Sequence, residues 1–137
     1  EQVRLADFLR QENGLDTELK ERASNFSGGQ CQRLALARAL LHDSSVYIFD
    51  EATSNIDVES ENDIMEQIYQ LSKNKTVILI SHRLANVVKA DKIYVLRNGY
   101  LEESGTHKTL LMQEGYYSRL WNAQQELENY TRGGCNR

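Results

Sequence analysis

Apolar residues in the first part of the chain recur at helical spacing in two stretches. Residues 1–22 predict a short helix that ends before Gly14, followed by a turn and the charged loop DTELKER. A second helix is predicted to begin at Ser27, because apolar residues behind it recur three and four positions apart. The apolar positions are Val3, Ala6 and Leu9 or Leu5 in the first helix, and Leu34, Ala37, Leu40 and Leu41 in the second.

Two short apolar runs, VYIF at 46–49 and TVILI at 76–80, are rich in β-branched and aromatic residues. Continuous runs of this length predict strands that are buried on both faces. Between them, a helical stretch begins at Asp57 and carries its apolar residues on one face. Residues 46–80 therefore predict a βαβ unit, with parallel strands and a right-handed crossover. The apolar face of the connecting helix consists of Ile64, Met65, Ile68 and Leu71.

The remainder of the chain predicts a hairpin and more helices. A short helix around Leu84, Val87 and Val88 precedes two alternating runs joined by Asn98-Gly99, a strong hairpin signal. Helices over 106–113 and 116–130 follow, separated by Gly115. The predicted fold is thus α/β. Its predicted divisions are a helical segment (1–44), an α/β core segment (45–130) and a flexible tail (131–137).

Composition narrows the classes of partner. The 137 residues suffice for one hydrophobic core, and the net charge of -4 argues against binding to nucleic acids, which attract basic surfaces. No apolar run exceeds four residues, so we expect a soluble chain without a membrane-spanning segment. Cys31 and Cys135 lie far apart, which fits a reducing compartment better than a disulfide framework.

The sequence FSGGQ at 26–30 is a candidate anion site. Ser27 and Gln30 have the spacing of a capping box, and the glycines between them bare the first N–H groups of a helix, which attract anions. The alternative is an ordinary capped helix with a flexible entry turn. No glycine in the chain is followed by lysine, so the lysine-containing phosphate loop G-x-x-x-x-G-K-[ST] does not occur in it.

Polar residues follow both predicted parallel strands. Asp50 and Glu51 end the first strand, and His82 lies just beyond the second. Because ligands of open parallel sheets bind beyond the carboxyl ends of the strands, we expect these groups to converge there. Asp50 suits Mg²⁺, Glu51 can orient or deprotonate water, and His82 can donate to a phosphate. Singly, each has an alternative interpretation, as a solvated turn or a structural histidine.

Three stretches in register resemble a known family. NFSGGQCQRLALARALL, VYIFDEATSNID and VILISHR closely resemble the second half of the nucleotide-binding domain of ABC transporters, which has a P-loop NTPase-like core and a helical subdomain. The stretches GLDTELKERASN and LEESGTHKTLLMQEGYYSRLWNAQQ are most similar to the exporter branch. The resemblance covers nearly the whole chain, and it implies an ATPase that couples ATP hydrolysis to transport.

The resemblance also implies roles for individual residues. Asp50, the last residue of the Walker B strand (46–50), would bind Mg²⁺, while Glu51 would be the catalytic carboxylate and His82 the switch histidine. The signature turn would contact ATP held by a second nucleotide-binding domain in a head-to-tail dimer. The residues implied to bind ATP are Ser27, Gly28, Gly29 and Gln30 of the signature and Asp57 of the D-loop (54–57).

The chain departs from the family pattern in a few places. Phe26, Cys31, Asn55 and Ile56 stand where leucine, arginine, alanine and leucine are usual, but none removes a group that the chemistry needs. The Walker A loop, the adenine-stacking aromatic residue and the Q-loop lie upstream in the family. We therefore expect a truncated piece, inactive by itself.

The resemblance further implies a transmembrane domain as partner and a place at the cytoplasmic face of the membrane. One alternative is the C-terminal lobe of chromosome-maintenance ATPases of the SMC type, which also carries a signature and Walker B without Walker A. Those lobes follow long coiled coils and act on DNA, whereas this chain is acidic and has no heptads. A non-hydrolysing interaction module would be expected to lack Glu51 or His82, and both are present.

Overall fold

The computed structural model describes residues 3–54 and 56–133, the last three by their backbone alone. The chain forms two compact units, residues 1–80 and residues 81–137. Each unit has its own hydrophobic core. None of the described helices is both long enough and apolar enough to cross a membrane.

The first unit contains the predicted βαβ arrangement. Strands β1 and β2 are parallel and pair in register from Val46 opposite Thr76 to Asp50 opposite Ile80. The helix between them connects the two strands, so the predicted parallel unit is confirmed. The elements of this unit are α1 (Ala6–Gln11), α2 (Gly28–Leu41), β1 (Val46–Asp50), α3 (Val58–Ser72) and β2 (Thr76–Ile80), with short 3₁₀ turns at Gly14–Asp16 and Glu21–Ala23.

One core joins the first 44 residues to the βαβ unit. Leu36 of α2 packs in the same buried cluster as Ile64 and Ile68 of α3. Val3 and Leu5 belong to that cluster too, but they precede α1, so the predicted helix begins later than their spacing indicates. The structure thus places the helical segment 1–44 in one unit with residues 45–80, and the division at residue 44 stays a prediction.

The β1–β2 sheet is buried on one face only, which corrects the prediction of strands buried on both faces. Tyr47 is 6% exposed, whereas its neighbour Ile48 is 66% exposed. Successive strand residues point to opposite faces, and the core of this unit covers one of them. The exposed face is lined by Val46, Ile48, Ile78 and Ile80.

The second unit is built on the predicted hairpin. Strands β3 (Ile93–Arg97) and β4 (Tyr100–Gly105) are antiparallel, and the turn between them has positive φ at both Asn98 and Gly99. That is the backbone of a type I′ turn, which Asn-Gly favours, so the hairpin prediction is confirmed. Helices α4 (His107–Met112) and α5 (Tyr116–Gly133) follow. The core of the unit contains Ile93, Val95, Leu110 and Tyr117.

Two predictions at the ends of the second unit need adjustment. The predicted helix near residue 84 is a 3₁₀ turn, Leu84–Val87. The predicted tail begins at residue 131, but α5 continues through Gly133. Residues 134–137, which carry the rest of that prediction, lie outside the described residues.

Candidate functional site

The N-terminus of α2 has the capping box that the sequence predicts. The Ser27 hydroxyl accepts a hydrogen bond from the Gln30 backbone N–H at 3.2 Å, and the Gln30 side chain accepts one from the Ser27 N–H at 2.8 Å. Ser27 and Gly28 are exposed, while Gly29 is buried. The helix therefore begins at a fixed, exposed turn, and its dipole favours an anion there.

The start of α2 lies directly against the start of α3. A Cβ atom on Gly29 would come 2.5 Å from the Ser60 hydroxyl oxygen and 3.7 Å from the Asp57 carboxylate. Asp57 caps α3 by accepting from the Ser60 N–H at 2.8 Å. Hydrogen bonds from the Ser60 backbone and hydroxyl hold the pKa of Asp57 below its usual range. The structure thus brings the predicted residues Gly29 and Asp57 together.

The carboxyl end of β1 carries the two predicted acidic residues. Asp50 is the last residue of the strand and pairs with Ile80 of β2. Glu51 then leaves the strand with φ of 48°, in the left-handed region, and its N–H donates to the Ile80 carbonyl at 3.0 Å. Its own carbonyl accepts from the Ser54 N–H at 3.0 Å, which closes a turn. Both acidic residues are exposed, so solvent or a ligand can reach them.

The segment after Glu51 is held by two polar contacts that sequence reasoning missed. The Gln32 amide of α2 donates to the Ser54 carbonyl at 3.0 Å. The Thr53 hydroxyl donates to the Glu61 carboxylate of α3 at 3.0 Å, and these two residues are 8% and 3% exposed. Both helices that begin at the site therefore hold the chain that follows the strand.

One sequence signal could have revealed Glu61. It lies three and four positions before Ile64 and Met65, so it occupies the apolar face of α3. A carboxylate at such a position is expected to have a polar partner. No comparable signal marks Gln32, because its partner is a backbone carbonyl 22 residues away.

An ion-pair network braces the side of α2 against α3. The Arg33 guanidinium donates to the Asp63 carboxylate at 2.9 Å and to the Ser60 hydroxyl at 3.3 Å. Arg4 pairs with Asp63 and with Glu66. The Arg33 and Asp63 side chains are 16% and 18% exposed, so their pairing is shielded from solvent more than a surface pair is.

His82 belongs to the second unit, where α5 holds its backbone. The Gln124 amide nitrogen donates to the His82 carbonyl at 2.6 Å, and the amide oxygen accepts from the Leu84 N–H at 3.0 Å. His82 is exposed. Its predicted convergence with Asp50 and Glu51 stays a prediction.

Asp50 offers one exposed carboxylate to a metal ion. Within the described part of the chain, no three His, Cys, Asp or Glu side chains are grouped closely enough to hold an ion. Mg²⁺ is commonly bound by one or two carboxylates together with substrate phosphates and water. Asp50 at an exposed strand end is suited to that arrangement.

Comparisons with known proteins show what the chain as a whole resembles. Residues 2–54 match the family model described as ABC transporter. The chain is 58% identical over 128 residues to an uncharacterized ABC transporter ATP-binding protein of Haemophilus influenzae. The aligned residues make up 93% of this chain and 23% of that protein. The chain closely resembles ABC transporter ATP-binding proteins.

Two further relatives point to the exporter branch of the ABC transporters. An ATP-dependent lipid A-core flippase of Vibrio vulnificus is 50% identical over 111 residues, 81% of this chain and 19% of the flippase. The structure of a bacterial Atm1-family ABC exporter with ATP bound has a TM-score of 0.82 and 39% identity, covering 90% of this chain and 22% of the exporter chain. This chain thus spans about a fifth of the length of the relatives it matches.

The predicted signature turn lies at the capped start of α2, the predicted Walker B strand coincides with β1, and the predicted D-loop leads into α3. The roles of these motifs stay predictions. Asn55 of the D-loop lies outside the described residues. The relatives named above are transporters, so they give no support to the SMC-type alternative.

Proposed function

We propose that this chain supplies the signature and Walker B part of an ATP-hydrolysing domain in an ABC exporter. The observation that carries the proposal is the turn at the end of β1. There Asp50 and Glu51 stand side by side, exposed, with the Glu51 N–H fixed to the Ile80 carbonyl of the neighbouring strand at 3.0 Å. A fixed backbone at adjacent carboxylates allows each to take a separate role.

In this proposal, Asp50 would hold Mg²⁺, which would supply positive charge to the nucleotide phosphates. Glu51 orients the attacking water and accepts its proton. The His82 imidazole donates to charge that develops on the γ-phosphate. Support for this division comes from the change of backbone between the two residues, because Asp50 ends the strand and Glu51 leaves it with φ of 48°.

The signature turn acts on a nucleotide held by another domain. An exposed helix N-terminus contributes only about 0.3 to 1 kcal/mol to anion binding, whereas a millimolar to micromolar site needs about 4 to 8 kcal/mol. Ser27, Gly28, Gly29 and Gln30 therefore serve a second nucleotide-binding domain, which holds the phosphates with its own Walker A loop. We further propose a transmembrane domain as partner, a place at the cytoplasmic face of the membrane, and no nucleic-acid partner.

The test is ATP turnover by the complete protein that carries this chain. Glu51→Gln keeps the shape of the side chain and removes the base, so we expect turnover to fall by about 10² to 10⁴. Glu59→Gln is the matched control, because Glu59 is another exposed glutamate of the same unit. Turnover by Glu51→Gln at the parent rate would show that the proposed chemistry is wrong.

A further inference from the structure

The side chain of Gln124 bridges two backbone groups that flank Arg83. Its amide nitrogen donates to the His82 carbonyl at 2.6 Å, and its amide oxygen accepts from the Leu84 N–H at 3.0 Å. The bridged residues lie 42 and 40 positions before it in the sequence. One side chain thus fixes both ends of the short segment that carries His82.

This pair of contacts needs a carboxamide. A carboxylate could accept from the Leu84 N–H but could not donate to the His82 carbonyl, and it would place negative charge beside that oxygen. An apolar side chain of similar length could make neither bond. Gln125, the next residue of α5, carries the same group, and it is also half-buried.

Helix α5 is firmly anchored ahead of Gln124. The Glu103 carboxylate of β4 accepts from the Tyr116 N–H at 2.6 Å and from the Tyr117 N–H at 2.9 Å, which caps the start of the helix. Tyr117 is 1% exposed, and its hydroxyl lies 2.9 Å from His107 Nδ1. Gln124 lies about two helical turns beyond Tyr117, so it reaches the His82 segment from a fixed base.

We infer that Gln124 is a positioning residue that sets the direction of the His82 side chain through the His82 and Leu84 backbone. The inference rests on the proposed function of His82 and extends it, because it makes α5 part of the catalytic apparatus. Both of these Gln124 hydrogen bonds go to backbone groups, so loss of the side chain should misdirect the imidazole without changing the imidazole's chemistry.

The first test is steady-state ATP hydrolysis by the complete protein. We expect Gln124→Glu and Gln124→Met to lower kcat, by up to about 10²-fold, with little change in KM for ATP, because misplacement of a catalytic group by about 1 Å can cost this much. Gln125→Glu, the same chemical change one residue along α5, should keep the parent kcat. A parent-like kcat for both Gln124 variants would overturn the inference.

A double-mutant cycle separates positioning from a general loss of structure. If Gln124 acts through His82, then Gln124→Met should lower kcat in the parent but not in a His82→Ala background. Equal losses in both backgrounds would overturn the inference. Parent turnover by His82→Ala alone would instead refute the proposed role of His82, and the inference with it.

The contact can also be tested without reference to function. Amide hydrogen exchange in the complete protein should become faster at Leu84 in Gln124→Met, because the N–H loses its acceptor, and should stay unchanged in Gln125→Glu. Unchanged exchange at Leu84 in Gln124→Met would show that the bridge does not form and would overturn the inference, whatever the role of His82.

Discussion

Gly29 and Ser60 lie so close that a Cβ atom on Gly29 would come 2.5 Å from the Ser60 hydroxyl oxygen and 2.9 Å from the Ser60 Cβ. Rotation of the hydroxyl could relieve the first contact but not the second. The second glycine of the signature turn is therefore required by packing, because it lets the starts of α2 and α3 touch.

This contact predicts different effects for the two signature glycines. Gly29→Ala should destabilise the chain by about 1 to 3 kcal/mol, the usual cost of overpacking, measured by urea unfolding. Gly28→Ala is the matched control, because Gly28 is exposed, and it should cost less. Adding Ser60→Gly to Gly29→Ala removes both clashing atoms and should restore part of the stability. Equal effects of the two alanine variants would contradict the packing explanation.

The buried pair Thr53–Glu61 predicts a stability defect of a different kind. Thr53→Val keeps the size of the side chain but removes the hydroxyl that donates to the Glu61 carboxylate at 3.0 Å. We expect a loss of about 1 to 3 kcal/mol in urea unfolding, since a buried carboxylate loses a donor. Thr53→Ser keeps the hydroxyl and should lose less. A smaller loss for valine than for serine would indicate that the hydrogen bond is unimportant.

The cap of α3 predicts a dependence of stability on pH. Hydrogen bonds from Ser60 depress the pKa of Asp57 below 3.8, so the charged cap stabilises the fold above that value and its contribution is lost as the pH falls through the folded pKa. An asparagine at this position would still cap the helix but would not titrate. Thermal unfolding of Asp57→Asn should therefore change less than that of the parent between about pH 6 and pH 3.

Asp43 also has a lowered pKa, so its contribution to the pH dependence of stability serves as the reference for this measurement. A hydrogen bond and charge attraction from Lys75, with Nζ 2.7 Å from Oδ1, lower the pKa of Asp43. Asp43→Asn should also flatten the pH profile, and the double variant should be flattest. An Asp57→Asn profile parallel to that of the parent would show that the cap does not titrate in this range.

The neighbouring carboxylates at the end of β1 predict two separable defects in the complete protein. Asp50→Asn removes charge that Mg²⁺ would use, so it should weaken Mg²⁺-dependent ATP binding. Glu51→Gln should leave that binding intact while it slows turnover. Calorimetry with Mg-ATP, in parallel with phosphate release, distinguishes the two effects. A binding defect in Glu51→Gln with normal binding by Asp50→Asn would reverse the assigned roles.

Local signals predicted much of the fold. The apolar runs over 46–49 and 76–80 and the amphipathic helix between them predicted the parallel unit, because hydrophobic period and strand propensity agree there. Asn98-Gly99 gave the hairpin for an equally local reason, as few other residues tolerate positive φ at both turn positions. Ser27 and Gln30 gave the capping box.

Contacts between distant residues were not predictable in this way. Gln32 and Gln124 bind backbone groups 22 to 42 positions away, and nothing in their immediate sequence distinguishes them from solvated glutamines. The exposed face of the β1–β2 sheet was also missed, because a run of apolar residues predicts a strand but does not say what covers each side.

The left-handed backbone that this turn requires at position 51 is unfavourable for glutamate. With φ of 48°, the position suits glycine or asparagine, and a glutamate there costs about 1 to 3 kcal/mol unless its surroundings compensate. A library of variants selected for thermal stability alone would therefore enrich glycine or asparagine at position 51 and discard the carboxylate. Selection for thermal stability would therefore remove the carboxylate on which ATP turnover is proposed to depend.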